Sequence, residues 1–341
     1  KKIVVKGIIG ADDWTTLGMM VNATSIDLSG ATATAPIPAS KFTGSKFPFL
    51  HNFVLPQGLT EIGESAFYES DIENEITFPA SLTTIGSSAF RESKIKAAHM
   101  PEGLTTVDIY AFEKCYFLEN ATWPSTAATI PYSCFENCYN LRTFTLPEGI
   151  TEIGNSAFYE CSQFNARIPS TVEHVTEYAF EKTATDSLFI KDNQIVDYHA
   201  FAECDNLVYA EWPTTFVYAY CNGQYGTSPV VYNCPKLNKV KLMSSTVVTY
   251  NNSSDYYGFL GKNTLSNITL QVPDFLVSSY KLDPYWYQCN VEGFNSAEIE
   301  TWNIRQPLVL NPGQRIGGTP SLDVRGSGNI TVNGDDVQNI K

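Results

Sequence analysis

Leu146-Pro147-Glu148-Gly149-Ile150-Thr151-Glu152-Ile153-Gly154-Asn155-Ser156-Ala157-Phe158-Tyr159-Glu160-Cys161 decides the reading of this chain, because its pattern is written many times over. The frame Pro-x-x-hydrophobic-x-x-hydrophobic-x-x-x-Ala-Phe has its prolines at Pro56, Pro79, Pro101, Pro124, Pro147 and Pro169. Its phenylalanines are Phe67, Phe90, Phe112, Phe135, Phe158 and Phe180. Each proline stands 11 residues ahead of its phenylalanine, and successive phenylalanines are 22 or 23 apart. A further unit ends at Ala200-Phe201, another starts at Trp212-Pro213, and Leu265 to Pro273 suggests one more. Ile37-Pro38-Ala39-Ser40-Lys41-Phe42 is a degenerate first unit.

Working outward from the frame, the residues before each proline alternate, as in Ile76-Thr77-Phe78 and Phe144-Thr145-Leu146. Period-two alternation marks a strand with one buried face, and the proline, lacking an N–H, ends it. In Gly-Leu-Thr-x-Ile-Gly the leucine and isoleucine point inward and the glycines permit tight turns. Ala-Phe-x-x-Cys/Ser then suits one short helical or 3-10 turn that sends the phenylalanine into the core. One unit cannot bury its apolar face alone. Stacked units can, with parallel strands about 4.8 Å apart. The expected fold is a mainly β repeat solenoid of short parallel strands and short helical or 3-10 turns.

Composition narrows the partners. The 341 residues are 43% hydrophobic and 17% charged, too apolar for a disordered chain. No apolar run reaches the ~18 residues of a membrane span. The net charge of −14 disfavours nucleic acid and anionic lipid as partners. Lys1-Lys2-Ile3-Val4-Val5 reads as a basic, alternating strand and not as a secretory signal, so either a signal has been removed or the protein is cytosolic.

Flanking the repeats, residues 1–45 read as a strand–helix–strand cap with its helix from Asp12 to Val21. The solenoid spans 46–273 and loses regularity after about 205. Residues 274–300 read as a C-terminal cap with a short helix. In 301–341, alternation split by Asn311-Pro312-Gly313 and Gly326-Ser327-Gly328 predicts a small antiparallel β unit.

Sites of chemistry are few. Cys115, Cys138, Cys161 and Cys204 lie three residues after a repeat phenylalanine, and Cys134 takes an alanine slot. They read as a ladder of core thiols. Cys221, Cys234 and Cys289 fall outside the regular units, and a bridge between two of them is left open. None of His51, His99, His174 and His199 sits in a metal-binding spacing. His99 faces outward on a strand and His174 lies in a turn. The segment from Asp323 lacks the bidentate twelfth ligand of a calcium loop and reads as a hairpin. Asp186-Ser187-Leu188 is a weak match to a bacterial O-glycosylation signal. No nucleophile–base pair, phosphate loop or nucleotide fingerprint appears, so no catalytic residue, metal or cofactor is expected.

Two surfaces are candidates for binding. Counting back from each proline, the outward strand residues are Asn52, Thr77, His99, Asn120, Thr122, Thr143, Thr145, Asn165, Arg167, Tyr209 and Glu211, with Ala97 in the same phase. They form either a recognition face or a merely solvated one. The irregular region offers Tyr218, Tyr220, Tyr225, Tyr256 and Tyr257, as exposed anchors or as patches in imperfect coils.

The segments Leu146 to Cys161 and Leu55 to Ser70 resemble the BspA-like leucine-rich repeat, over roughly residues 37–273. The opening through Asp12-Asp13-Trp14 and Ile26-Asp27-Leu28-Ser29 is similar to the N-terminal cap of such proteins. The family is common among surface and secreted proteins of Gram-negative anaerobes of gut and mouth. The resemblance implies a cell-surface or secreted location, with the signal or anchor removed, and roles in adhesion or in contact with extracellular protein or glycan. It brings no catalytic residues. The expected function is non-enzymatic binding or scaffolding, adhesin-like; a glycan-binding accessory protein in polysaccharide capture is the alternative. Oligomeric state is not fixed by the sequence.

Overall fold

A computed structural model describes residues 1–192, 194–214, 229–248, 260–261 and 263–295, together with the backbone of four strands further on. The tyrosines singled out between 218 and 257, and Cys221, lie outside the described residues. The chain divides into two compact units. The first holds residues 1–185 and 195–204, the second 186–194 and 205–341.

In the first unit each coil has three sides. The first is the strand before the proline, as Ile76–Thr77, Ala97–His99, Asn120–Thr122 and Thr143–Thr145, which join in one parallel sheet. The second is the Thr-x-Ile stretch after the proline, which is a strand and not only a turn. Glu61–Ile62, Thr84–Ile85 and Thr106–Val107 form one ladder. Thr129–Ile130, Glu152–Ile153, His174–Val175 and Ile195–Val196 form another. His174 therefore belongs to a strand, contrary to its expected place in a turn.

The third side carries Ala-Phe and is a run of turns in which backbone donors alternate in direction. Ser65, Phe67 and Glu69 donate to the carbonyls of Ser87, Ala89 and Arg91 one coil on. Ala66, Tyr68 and Ser70 donate three residues back, to Gly63, Ser65 and Phe67. Sending every second N–H across to the next coil needs left-handed residues at intervals. Ser65 (φ 53°), Glu69 (φ 56°), Ser88 (φ 55°) and Glu92 (φ 59°) supply them. The pattern breaks the i→i+3 continuity a 3-10 helix would need, so no regular helix forms here.

Inside, the repeat phenylalanines make one column. Phe67, Phe90, Phe112, Phe135, Phe158 and Phe180 stack with ring centroids 5.0–5.4 Å apart and interplanar angles of 9° or less. Phe42 extends the column at one end and Phe201 at the other, at 5.5 and 5.0 Å. These rings are almost wholly buried. Burial of each is worth ~1.5–3 kcal/mol, and each aromatic pair adds ~0.5–1.5 kcal/mol. Cys115, Cys138, Cys161 and Cys204 donate their thiols to the carbonyls of Phe90, Phe112, Phe135 and Phe180 at 3.0–3.3 Å. The thiols are thus a core ladder, and burial pushes those of Cys115, Cys134 and Cys138 well above the usual range.

Ahead of the coils, Lys2–Ile9, Ser25–Ala33 and Asn52–Val54 form a parallel sheet. The helix Ala11–Leu17 begins where the Gly10 N–H is capped by Asp13 at 2.8 Å. It buries Trp14 edge-on to Phe42.

The second unit is built on a five-stranded parallel sheet, Ser187–Phe189, Tyr209–Trp212, Lys239–Leu242, Thr269–Pro273 and Asn290–Phe294. Its inward residues Leu188, Ala210, Val240, Leu270 and Val291 are buried. After the fourth strand, short 3-10 and α turns through Val277–Leu282 bring in Tyr280 and Trp286. These rings satisfy the Val248 backbone, Tyr280 Oη accepting from its N–H and Trp286 Nε1 donating to its carbonyl, both at 2.9 Å.

Beyond these, Thr301–Asn303 pairs with Ser321–Asp323, and Leu308–Leu310 with Ile330–Val332, both in parallel. The expected antiparallel hairpins are replaced because pairing skips the neighbouring strand and joins residues 20 to 22 positions apart, as Thr301 with Ser321 and Leu308 with Ile330. That spacing is close to one coil, and a coil brings strands back parallel.

Replacing Phe135 by Ala should remove a ring packed on both sides and cost ~3–5 kcal/mol, read as a lower denaturant midpoint. A loss below ~1 kcal/mol would show that the column does not hold the coils together.

Candidate functional site

The strand before each proline exposes every second side chain. In the first unit the register aligns Thr77, His99, Thr122 and Thr145 across four strands, with Asn120 and Thr143 two residues earlier on theirs. These six are brought together as expected, half-buried or exposed. Thr122 is tied down, its Oγ1 accepting from the Met100 N–H at 3.0 Å. Ala97 shares their phase but is buried, so its small side chain leaves no outward group at that rung.

The remaining predicted positions fall elsewhere. Asn52 is in the three-stranded sheet ahead of the coils, where its side chain donates to Ser25 at 3.3 Å. Asn165 and Arg167 lie outside any strand. Arg167 turns back onto the Asn165 side chain at 2.6 Å and onto the Ala166 carbonyl at 2.9 Å, and the Ala166 N–H is directed to Thr185 Oγ1. Tyr209 and Glu211 belong to the sheet of the second unit.

That second sheet aligns Ser187, Tyr209, Lys239, Thr269 and Asn290 in one outward row. A parallel row holds Phe189, Glu211, Lys241, Gln271 and Glu292. The Tyr209 hydroxyl donates to Glu211 at 2.5 Å, and Asn290 donates to Glu292 at 3.1 Å. Burial, then the Glu211 carboxylate, push the Tyr209 hydroxyl above its ordinary range. Of these ten, only Tyr209 and Glu211 were singled out from sequence as binding candidates. Asn238-Lys239-Val240-Lys241-Leu242 carries the same alternation and would have yielded both lysines.

The turn side of the first unit holds a charged and aromatic network that the repeat count overlooked. Arg91 sits between the rings of Tyr68 and Tyr110, at 5.9 and 5.7 Å, and pairs with Glu113 at 2.7 Å. Lys182 donates to Glu160 at 2.7 Å and to the Tyr159 hydroxyl at 3.1 Å. Glu181 is buried, and burial followed by the Glu203 charge raises its carboxyl to about 7. His199, whose Nδ1 is 3.9 Å from Glu181, is lowered by burial to about 4. Reading the two positions after each phenylalanine as columns, Arg91, Glu113 and Glu181 beside Glu92, Lys114 and Lys182, was the available signal.

Each unit thus presents a parallel sheet whose outward side chains stand in register from strand to strand. The family model for the BspA type leucine rich repeat region matches residues 36–165 and 128–256, in six copies. The chain belongs to the BspA-type leucine-rich repeat proteins. Such a repeat supplies rungs with variable outward positions, and the family resemblance drawn from Leu146 to Cys161 is met here by coils with the expected column. Among curated proteins none matches. Among solved structures, a leucine-rich repeat protein from Bacteroides ovatus is 18% identical, covers 84% of this chain and 82% of its own, and superposes with a TM-score of 0.52. The pneumococcal vaccine antigen PcpA is 15% identical over 80% of this chain and 78% of its own, with a TM-score of 0.43. Among the described residues, no helix of this BspA-type chain is long and apolar enough to cross a membrane.

Glu181 gives the turn side a measurable signature. Its folded pKa of about 7 lies above the unfolded value of 4.5. Below 4.5 both states hold the proton; between 4.5 and 7 the unfolded chain ionises while the folded one resists, so stability falls as pH rises through this window. Glu181→Gln should therefore stabilise the protein by ~1–3 kcal/mol at pH ~8 and leave it unchanged at pH ~4. Denaturation at both pH values checks this; equal effects at the two would overturn it.

Proposed function

We propose that the chain is a non-enzymatic extracellular binding or scaffold protein, adhesin-like, held at or released from the cell surface. The observation that carries this is the sheet of the first unit, where Thr77, His99, Thr122 and Thr145 stand in register on strands fixed from below by the phenylalanine column. A rigid row of small hydrogen-bonding groups is ordered before any ligand arrives, which lowers the entropy lost on binding. Membership of the BspA-type family supports a surface or secreted setting, where a repeat face contacts another macromolecule. A protein partner with extended backbone suits this face best, because threonine and asparagine side chains can meet its peptide groups along the row.

The second reading, a glycan-binding accessory protein, is favoured by a different observation, the aromatic and amide-bearing face of the second unit.

The purified chain, immobilised and challenged with extracellular matrix proteins and with polysaccharides, should retain a member of one panel. Thr77→Arg with Thr145→Arg, both on exposed positions, should weaken capture of a protein partner by about tenfold or more without changing thermal stability. Retention of full affinity in that double variant would remove the first unit's strand face from the binding reaction.

A further inference from the structure

The outward face of the second unit's sheet carries groups that the first unit's face lacks. Phe189 is 42% exposed on the outermost strand, and its ring lies 5.3 Å from that of Tyr209 at an interplanar angle of 51°. Beside this aromatic pair, Glu211, Lys241, Gln271 and Glu292 follow one another across four consecutive strands. Glu211 and Glu292 are each already oriented by a neighbour on their own strand, Tyr209 and Asn290.

We infer that this face binds an uncharged saccharide chain lying across the strands, about one pyranose ring to each strand. The inference rests on the reading of the chain as a binding protein and names the ligand class of one face. Four features of this face lead there. Apolar ring faces stack on the C–H face of a sugar, and the exposed ring of Phe189, packed against Tyr209, offers such a face at one end of the row. The remaining side chains are hydrogen-bonding groups with both donors and acceptors, which suit vicinal hydroxyls. Lys239 and Lys241 are balanced by Glu211 and Glu292, so in a chain of net charge −14 this patch presents no net field to an ionic ligand. Finally, strands ~4.8 Å apart repeat at about the length of one sugar residue, so a chain crossing the sheet meets a new pair of side chains at each ring.

The test is calorimetric titration of the full chain with neutral cello-, manno- and malto-oligosaccharides of about two to six residues, and with oligogalacturonates as the charged comparison. One neutral series should bind, with affinity rising through about five residues, the number of strands, before levelling off. Affinity should be unchanged between low and high salt. Phe189→Ala and Gln271→Ala should each weaken binding by about tenfold. Gln271 is an outward residue on a central strand, so its variant remains informative if Phe189→Ala is poorly folded. Failure of every neutral series, binding of oligogalacturonates alone, or full affinity in Gln271→Ala would overturn the inference. Capture of a matrix protein sensitive to Thr145→Arg, with no neutral sugar bound, would overturn it while leaving the broader binding role in place.

Discussion

Each coil of the first unit depends on its neighbours for both kinds of interaction that fold it. A segment of 22 or 23 residues has room for two short strands and a turn, and no room for a second layer to cover its apolar side. The adjoining coil is that layer. It meets the phenylalanine ring with another ring at about 5 Å and meets the backbone with carbonyls, side chains of Asn74 and Thr185 standing in for them at Phe53 and Ala166. Because apolar contact and hydrogen bonding share one direction, loss of register would break both together. The thiols fit the same logic, each meeting the carbonyl of the phenylalanine one coil before.

The column and the first strand ladder were legible because side-chain spacing encodes them: proline ends a strand, phenylalanine fills a fixed slot, and both recur at constant separation. What escaped was written in the backbone. The Thr-x-Ile strands are two residues long, below any alternation that could reveal them, and they exist only through pairing with another coil. His174 was misplaced for this reason. The turn side was equally hidden, since its left-handed residues are Ser, Tyr, His, Glu, Lys and Asn, and not the glycine that would have announced them. At the far end, turn-like sequence suggested hairpins, whereas pairing follows the coil-length offset of residues 301 and 321.

The candidate surfaces were legible to the extent that alternation held. It placed Thr77, His99, Asn120, Thr122, Thr143 and Thr145 correctly on one sheet. It failed at Asn165 and Arg167, where a side chain from the following coil, Thr185, takes the backbone position a strand partner would have filled. It also fell short in the second unit, where longer strands display lysine and glutamine that a proline-based count passes by. The two faces differ in chemistry although one core rule builds both, since inward residues serve packing and outward ones are released from it.

The alternating donors of the turn side have a consequence for how such a chain can grow. Every coil offers its predecessor the same carbonyls that it takes from its successor, whichever side chain sits at the left-handed positions. A whole coil can therefore be duplicated or deleted in the gene without orphaning a buried amide, provided the cut preserves the period. Array length becomes a heritable variable that selection can lengthen or shorten while each surviving rung keeps its shape.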